Sequence, residues 1–294
     1  MDVVSDVGER SGRGLRIGRE ALLGVAHAER ERLGRMIQFA DPETWEEPSA
    51  APGWWNRDVM AHLAANDTAA AQLMAGQPAA ELEEYRGHLG EEPFTVDGWN
   101  AWAVGRRTGL TTREILGTWG KAAEAFLVYA ARLDDAEWRD TRFPWVAGDL
   151  SPRFLIQSQV IEWFLHGEDM RATNGVASGW QVGWQQWPVH LTIDMAVRLL
   201  PWALERDGLD LSGRSASFEL LGPGQGSWHW GLGSGEVPAP EKEPDVVITG
   251  RAPQFALVAG RRLAVDDALA SGNVVLGGDL GLARTVLGVI RAYP

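Results

Sequence analysis

Apolar residues recur at helical spacing over the first two-thirds of the chain, and the pattern changes to alternation near its end. Over Glu20–Phe39, Leu22, Leu23, Ala26, Leu33 and Ile37 fall near one helical face, and Asp41-Pro42 ends the run. Asn56 is suited to cap a second helix, with Arg57 and Asp58 opening it and Val59, His62 and Leu63 on neighbouring turns. Gly76 and Pro78 stop that helix after about Ala75. Residues 79–98 are polar and rich in Gly and Glu, and read as a surface excursion. A third helix is expected over Asn100–Arg107, and a fourth, capped by Thr111 or Thr112, runs to Leu133. Residues 142–153 read as a loop before a fifth helix over Phe154–Thr173, which Asn174-Gly175 stops. A sixth helix over Val189–Arg206 closes the helical set.

Beyond Leu209 the texture differs. SASFELLG and SWHWGLG alternate around a GPGQG turn and predict a hairpin, and PDVVITG predicts a third strand. APQFALVAGRR and GLARTVLGVIRAY are helix-like. The expected organisation is a short flexible arm over 1–19, a helical bundle over 20–209 and a small α+β domain over 210–294.

Composition narrows the function. With 294 residues, 45% of them hydrophobic, the chain has material for two packed domains of roughly 150 residues each. No run of about 18 apolar residues is present to span a membrane. The first twenty residues lack the apolar block of a signal peptide, so a cytoplasmic protein is expected, a monomer or small homo-oligomer. A formal net charge of -13 argues against nucleic acid as a partner, because a phosphate footprint needs clustered Lys and Arg. There is no cysteine, which excludes disulfides, thiolate metal ligands and a protein thiol nucleophile; sulfur chemistry here needs a thiol from outside. Fifteen tryptophans must serve largely as core or pocket wall.

The sharpest local signal is IEWFLHGEDMRA. Glu162 and His166 stand four residues apart in an apolar-periodic helix, so both rise from one face about a turn apart. His62 sits in DVMAHLAAND, among small and apolar neighbours of another helix. Two imidazoles and a carboxylate form a catalytic zinc pattern with a coordination position left open, and equally the facial triad of non-haem iron. The plainer readings are a helix-face pair worth about 0.2–0.5 kcal/mol and a core histidine with its N–H satisfied.

The segments PGW followed by WNRDVMAHLAAND, then IEWFLHGEDMRAT a hundred residues on, resemble the two signatures of the mycothiol-dependent maleylpyruvate isomerase family, which belongs to the DinB-like metal-binding bundles. DVVITG, GRR and LGGDLGLARTVL are similar to the sterol-carrier-like second domain of that family, so the resemblance spans nearly the whole chain. It implies a four-helix-type bundle followed by an α+β domain. It also implies a divalent metal held at His62, Glu162 and His166, zinc first, with iron, nickel or manganese as alternatives. The co-substrate it implies is mycothiol or a similar thiol, activated for isomerisation or S-transfer on a small electrophile. The excursion at 79–98 and the tryptophan density depart from the family pattern and bear on the substrate rather than the metal.

Among the neighbours, Asp58 is placed either to accept a His62 N–H or to serve as an N-terminal helix acid. Asp169 matches the second signature and is expected to act catalytically, orienting a ligand or pairing with an arginine such as Arg171; Glu168 is expected to face solvent. Asn66 and Asp67 border the pocket or the surface, and Trp54, Trp55 and Trp163 divide between pocket wall and core. Arg261 and Arg262 are candidates to clamp a substrate carboxylate, the alternative being charge at a helix C-terminus. His27, His88, His190 and His229 have no partner spacing that suggests a site. Two other functions fit the same residues: a metal-hydroxide hydrolase or lyase without thiol, and a non-catalytic module that binds a small ligand.

Overall fold

Helix α1 spans Arg19–Phe39 and turns Leu22, Ala26, Leu33 and Met36 inward at helical spacing. The computed structural model describes residues 17–146, 148–173, 186–233 and 243–293. They form two compact units, one within Gly18–Gln181 and one within Val182–Pro294 that also takes in Ile17. Of the arm expected over 1–19, residues 1–16 lie outside the described residues, as does the expected Asn174-Gly175 stop; Ile17 is buried and Arg19 opens α1.

In the first unit, α1 is joined by α2 (Asn56–Met74), α5 (Thr112–Arg132) and α7 (Pro152–Thr173) in a four-helix bundle, in which α1 meets α5 and α7, and so does α2. Helix α2 is buried on nearly every side, because Ala61, Ala64, Ala65, Ala69, Ala70 and Ala71 let its neighbours approach closely. Polar groups on α2 therefore end up inside the protein, at a cost that only partners can offset. Helix α5 follows the simpler amphipathic rule, burying Ile115, Trp119, Ala123, Phe126, Leu127 and Ala130. Its capping box is closed by Thr111 N–H donating to Glu114 Oε2 at 2.7 Å.

Three local expectations are corrected. The N-cap of α2 is Trp55, not Asn56; Asn56 is the first helical residue and donates its side-chain N–H to Thr44 O at 2.8 Å. Residues 79–98 lie largely at the surface but are not irregular: they carry α3 (Ala80–Leu89) and the start of α4 (Val96–Gly105), anchored by buried Leu82 and Tyr85 and by Trp99 just beyond. Their core is aromatic: Tyr85 contacts Phe94 at 5.6 Å and Trp99 at 5.9 Å, and Trp99 stacks on Trp102 at 5.6 Å between centroids. After the short helix α6 (Asp135–Asp140), the expected loop holds a two-stranded hairpin, β1 (Phe143–Trp145) against β2 (Gly148–Leu150), which buries Phe143, Trp145 and Leu150.

The second unit begins with α8 (Gln186–Arg206), assigned above to the first domain. It packs instead on elements that follow it, because its buried face, including Val189, Ile193, Val197 and Leu200, meets α9 (Ala252–Ala259), β4 (Gly226–Gly231) and α11 (Leu280–Val289). The boundary thus falls before α8 rather than at 209. The sheet has the order β4-β3-β5-β6, with β3 at Ser215–Leu221, β5 at Val246–Arg251 and β6 at Val274–Gly278. The β3–β4 hairpin is antiparallel as expected, β3 and β5 run parallel, and β6 returns antiparallel to β5. A short α10 (Val265–Ala270) precedes β6. Gly224, in the hairpin turn, has φ +83° and a Cβ there would collide with Val189 Cγ1, so this turn requires glycine. No helix among the described residues is long and apolar enough to cross a membrane.

Candidate metal centre

Two helices of the first unit bring three of the named side chains to one point. His62 rises from the middle of α2, and Glu162 and His166 from successive turns of α7. One ligand atom of each lies within 4.8 Å of the other two. Glu162 Oε2 is 3.2 Å from His62 Nε2 and 3.3 Å from His166 Nε2. The side chains are 3%, 13% and 9% exposed for His62, Glu162 and His166, so the carboxylate is the most open of the three.

Trp54 roofs both imidazoles, 5.0 Å from the His62 ring and stacked 6.0 Å from that of His166. Its loop is pinned from two sides. Ser49 Oγ donates to Trp54 O at 2.9 Å, and Ala50 N–H donates to Asp169 O at 3.0 Å, which ties the roof to α7. Trp55, in contrast, is 47% exposed, and Trp163 is wholly buried in the core, as expected for most of the tryptophans.

The electrostatics favour an anionic oxygen. Burial acts to raise the Glu162 carboxyl, but hydrogen bonds from His166 and His62 and their charge outweigh it and hold the group far below the usual carboxylate range. His166 is oriented from behind: its Nδ1 lies 2.9 Å from Oδ2 of the fully buried Asp169, so Nε2 is left facing Glu162. Asp169 does not pair with Arg171, which donates to Glu168 at 2.9 Å. Glu168 is not solvent-facing: it is 12% exposed, between Arg171 and Arg32. Asp58 does not reach behind His62; its Oδ2 accepts the Trp55 N–H at 3.0 Å and caps α2.

The donor set fits a small divalent cation. Nitrogen and oxygen ligands about 2.0–2.2 Å from a tetrahedral metal lie about 3.3–3.5 Å from one another, which matches the separations of 3.2 and 3.3 Å. Without a cation one atom is over-committed. His62 Nε2 faces the Glu162 oxygen, which needs a donor, and also the Asn66 amide nitrogen at 3.2 Å, which needs an acceptor. One ring nitrogen cannot be both.

Asp67, the next residue, lies inside the bundle. Its Oδ2 accepts the Trp163 indole N–H at 2.8 Å. Burial pushes its carboxyl well above the ordinary value, the negative Glu162 adds to the rise, and the indoles of Trp163 and Trp119 with Arg30 oppose it. The unfolded chain ionises this group near 3.8 and the folded chain only at higher pH, so folding loses stability as pH rises between the two. Asp67→Asn keeps an oxygen for Trp163 and buries no charge. Its stability relative to the parent is expected to be greater at about pH 8 than at about pH 4, read from denaturant midpoints at both; an equal gap at the two pH values refutes the assignment.

Arg261 and Arg262 belong to the second unit. Arg261 follows α9 in the left-handed region, at φ 61°, with its N–H on Val258 O and that of Arg262 on Leu257 O, a Schellman ending in which glycine is usual. The Arg261 guanidinium donates to Gly288 O at 3.1 Å, and that of Arg262 to Gly260 O at 2.5 Å. Asn66, read above as bordering the pocket or the surface, stands beside His62, and the residue that spacing did not single out is Trp99 behind it. The signal at Asn66 was a polar residue four after His62 in an otherwise apolar helix.

Comparison with known proteins follows the same division. Residues 26–171 match the family model for the mycothiol maleylpyruvate isomerase N-terminal domain, and residues 203–291 match the SCP-2 sterol transfer family. No curated protein sequence matches. Two crystal structures of the mycothiol-dependent maleylpyruvate isomerase, one of them a histidine-to-alanine mutant, share the fold. Each has a TM-score of 0.57 at 15% identity, over 95% of this chain and 97% of the other.

Proposed function

Because the chain belongs to the mycothiol-dependent maleylpyruvate isomerase family, we propose that it is an enzyme in which His62, Glu162 and His166 hold a divalent cation and a low-molecular-weight thiol is activated beside them. The thiol is mycothiol or a close relative, and the reaction is isomerisation or S-transfer on a small electrophilic substrate. The observation that carries this reading is the convergence of three donors from two helices within 4.8 Å, two buried imidazoles and a half-buried carboxylate. Zinc is the first choice of metal, and the same donors suit iron, nickel or manganese.

A cation there supplies Lewis acidity, which lowers the pKa of a thiol enough to give a nucleophile at neutral pH. The chain provides the rest. Glu162 contributes the anionic oxygen of the donor set. Asp169 keeps the His166 proton on Nδ1 and so leaves its Nε2 lone pair directed at the site. Trp54 shields the imidazoles from bulk water, which strengthens every polar interaction beneath it. With no cysteine anywhere in the sequence, no protein thiolate competes for the metal.

Cobalt substitution tests it. Addition of thiol to the cobalt protein is expected to produce a sulfur-to-metal charge-transfer band that saturates with thiol. Cobalt that binds stoichiometrically but shows no such band at any thiol concentration would argue for metal-hydroxide hydrolysis instead.

A further inference from the structure

We infer that Asn66 donates a hydrogen bond to the anionic ligand occupying the coordination position that His62, Glu162 and His166 leave open. In the reading above that ligand is the thiol sulfur, so the inference rests on the metal centre proposed there.

The orientation of the Asn66 amide is fixed by its neighbour. The Trp99 indole N–H donates to Asn66 Oδ1 at 3.1 Å, and an indole nitrogen has no lone pair to offer. The oxygen must therefore face Trp99 and the NH2 must face the site, so the amide cannot be reversed. Trp99 itself is 1% exposed and wedged between Tyr85 and Trp102, which leaves it little room to let go. Asn66 is 4% exposed, so its N–H groups have no bulk water to turn to.

That NH2 lies 3.2 Å from His62 Nε2, the nitrogen directed at the metal position. Once the Nε2 lone pair is on a cation it accepts no hydrogen bond. An orienting role for Asn66 toward His62 is thus incompatible with the loaded site, whereas the amide hydrogens remain aimed where the donors converge. A buried amide donor left without an acceptor is costly, and an incoming anion satisfies it. Asn66 is also barred from ligating through oxygen, since Trp99 holds that atom on the far side.

The test uses the full-length cobalt-substituted protein with two probes, azide and 2-mercaptoethanol, and two variants, Asn66→Ala and Asn66→Asp. Asn66→Ala is expected to bind cobalt as the parent does, to bind both probes about 10- to 100-fold more weakly, and to show its thiol charge-transfer band at longer wavelength, because a sulfur without an N–H donor is more easily oxidised. Asn66→Asp keeps the shape and the oxygen that Trp99 needs. It is expected to bind cobalt at least as tightly and to lose both probes further, by charge repulsion. Unchanged probe affinities and band position in Asn66→Ala overturn the inference, as does weaker cobalt binding with an unmoved band, which is the signature of a residue that only supports His62. Should azide respond to the variants while thiol gives no band in any protein, the donor role of Asn66 stands and the thiol reading falls. A parent protein that takes up no cobalt removes the metal centre and this inference together.

Discussion

His166→Ala is expected to release the metal and abolish turnover while the bundle stays folded. The ring contributes one of three donors, and the two left behind, His62 Nε2 and Glu162 Oε2, are 3.2 Å apart on different helices. Disturbing even the partners behind a metal ligand costs about 10- to 100-fold in affinity, so loss of the ligand itself should exceed about 100-fold. If the cation contributes several kcal/mol to the chemical step, turnover falls by about a thousandfold or more. Stability changes far less. The imidazole is 9% exposed and makes no large apolar contribution, while its removal leaves Asp169 buried without that partner, at a cost of about 1–3 kcal/mol. Metal analysis after gel filtration, far-UV circular dichroism and a denaturant curve separate these effects. A His166→Ala protein that retains stoichiometric metal and full turnover would falsify the assignment of the centre.

What the sequence made legible was whatever depends on residue spacing. Glu162 and His166 at i, i+4 share a helical face by geometry, and the Thr111 capping box and the β3–β4 hairpin are equally local. Tertiary placement decided the rest. The excursion at 79–98 looked polar because within it only Ala79, Leu82 and Tyr85 are buried, which is too narrow a stripe to register as a period. Helix α8 could be recognised as a helix, but nothing along the chain says which core its apolar face covers. Asn66 could be noticed as polar in an apolar helix; the direction of its amide is set by Trp99, thirty-three residues further on. Asp58 illustrates the reverse: a spacing that fits a role behind His62 is used for a helix cap.

The role of Asp169 separates into charge and geometry, and the second large effect expected comes from dividing them. Asp169 is wholly buried and its Oδ2 is 2.9 Å from His166 Nδ1, while its backbone oxygen independently accepts from Ala50 and so holds the Trp54 loop whatever the side chain is. Asp169→Asn retains an oxygen that can accept the Nδ1 proton but carries no charge to make the imidazole a better donor to metal. Asp169→Ala loses the acceptor as well and frees the ring to turn or to move its proton to Nε2, which would block ligation. Metal affinity is therefore expected to fall about tenfold in Asp169→Asn and about 100-fold in Asp169→Ala, with activity at saturating metal largely restored in the former alone. The graded order is the diagnostic part, because a residue that merely filled space would leave both variants with the parent's affinity, and a residue needed only for its charge would make the two equally weak. Competition against a chelating dye measures all three proteins on one scale. If Asp169→Ala binds metal as tightly as the parent, His166 is held by its packing beneath Trp54 rather than by the carboxylate behind it.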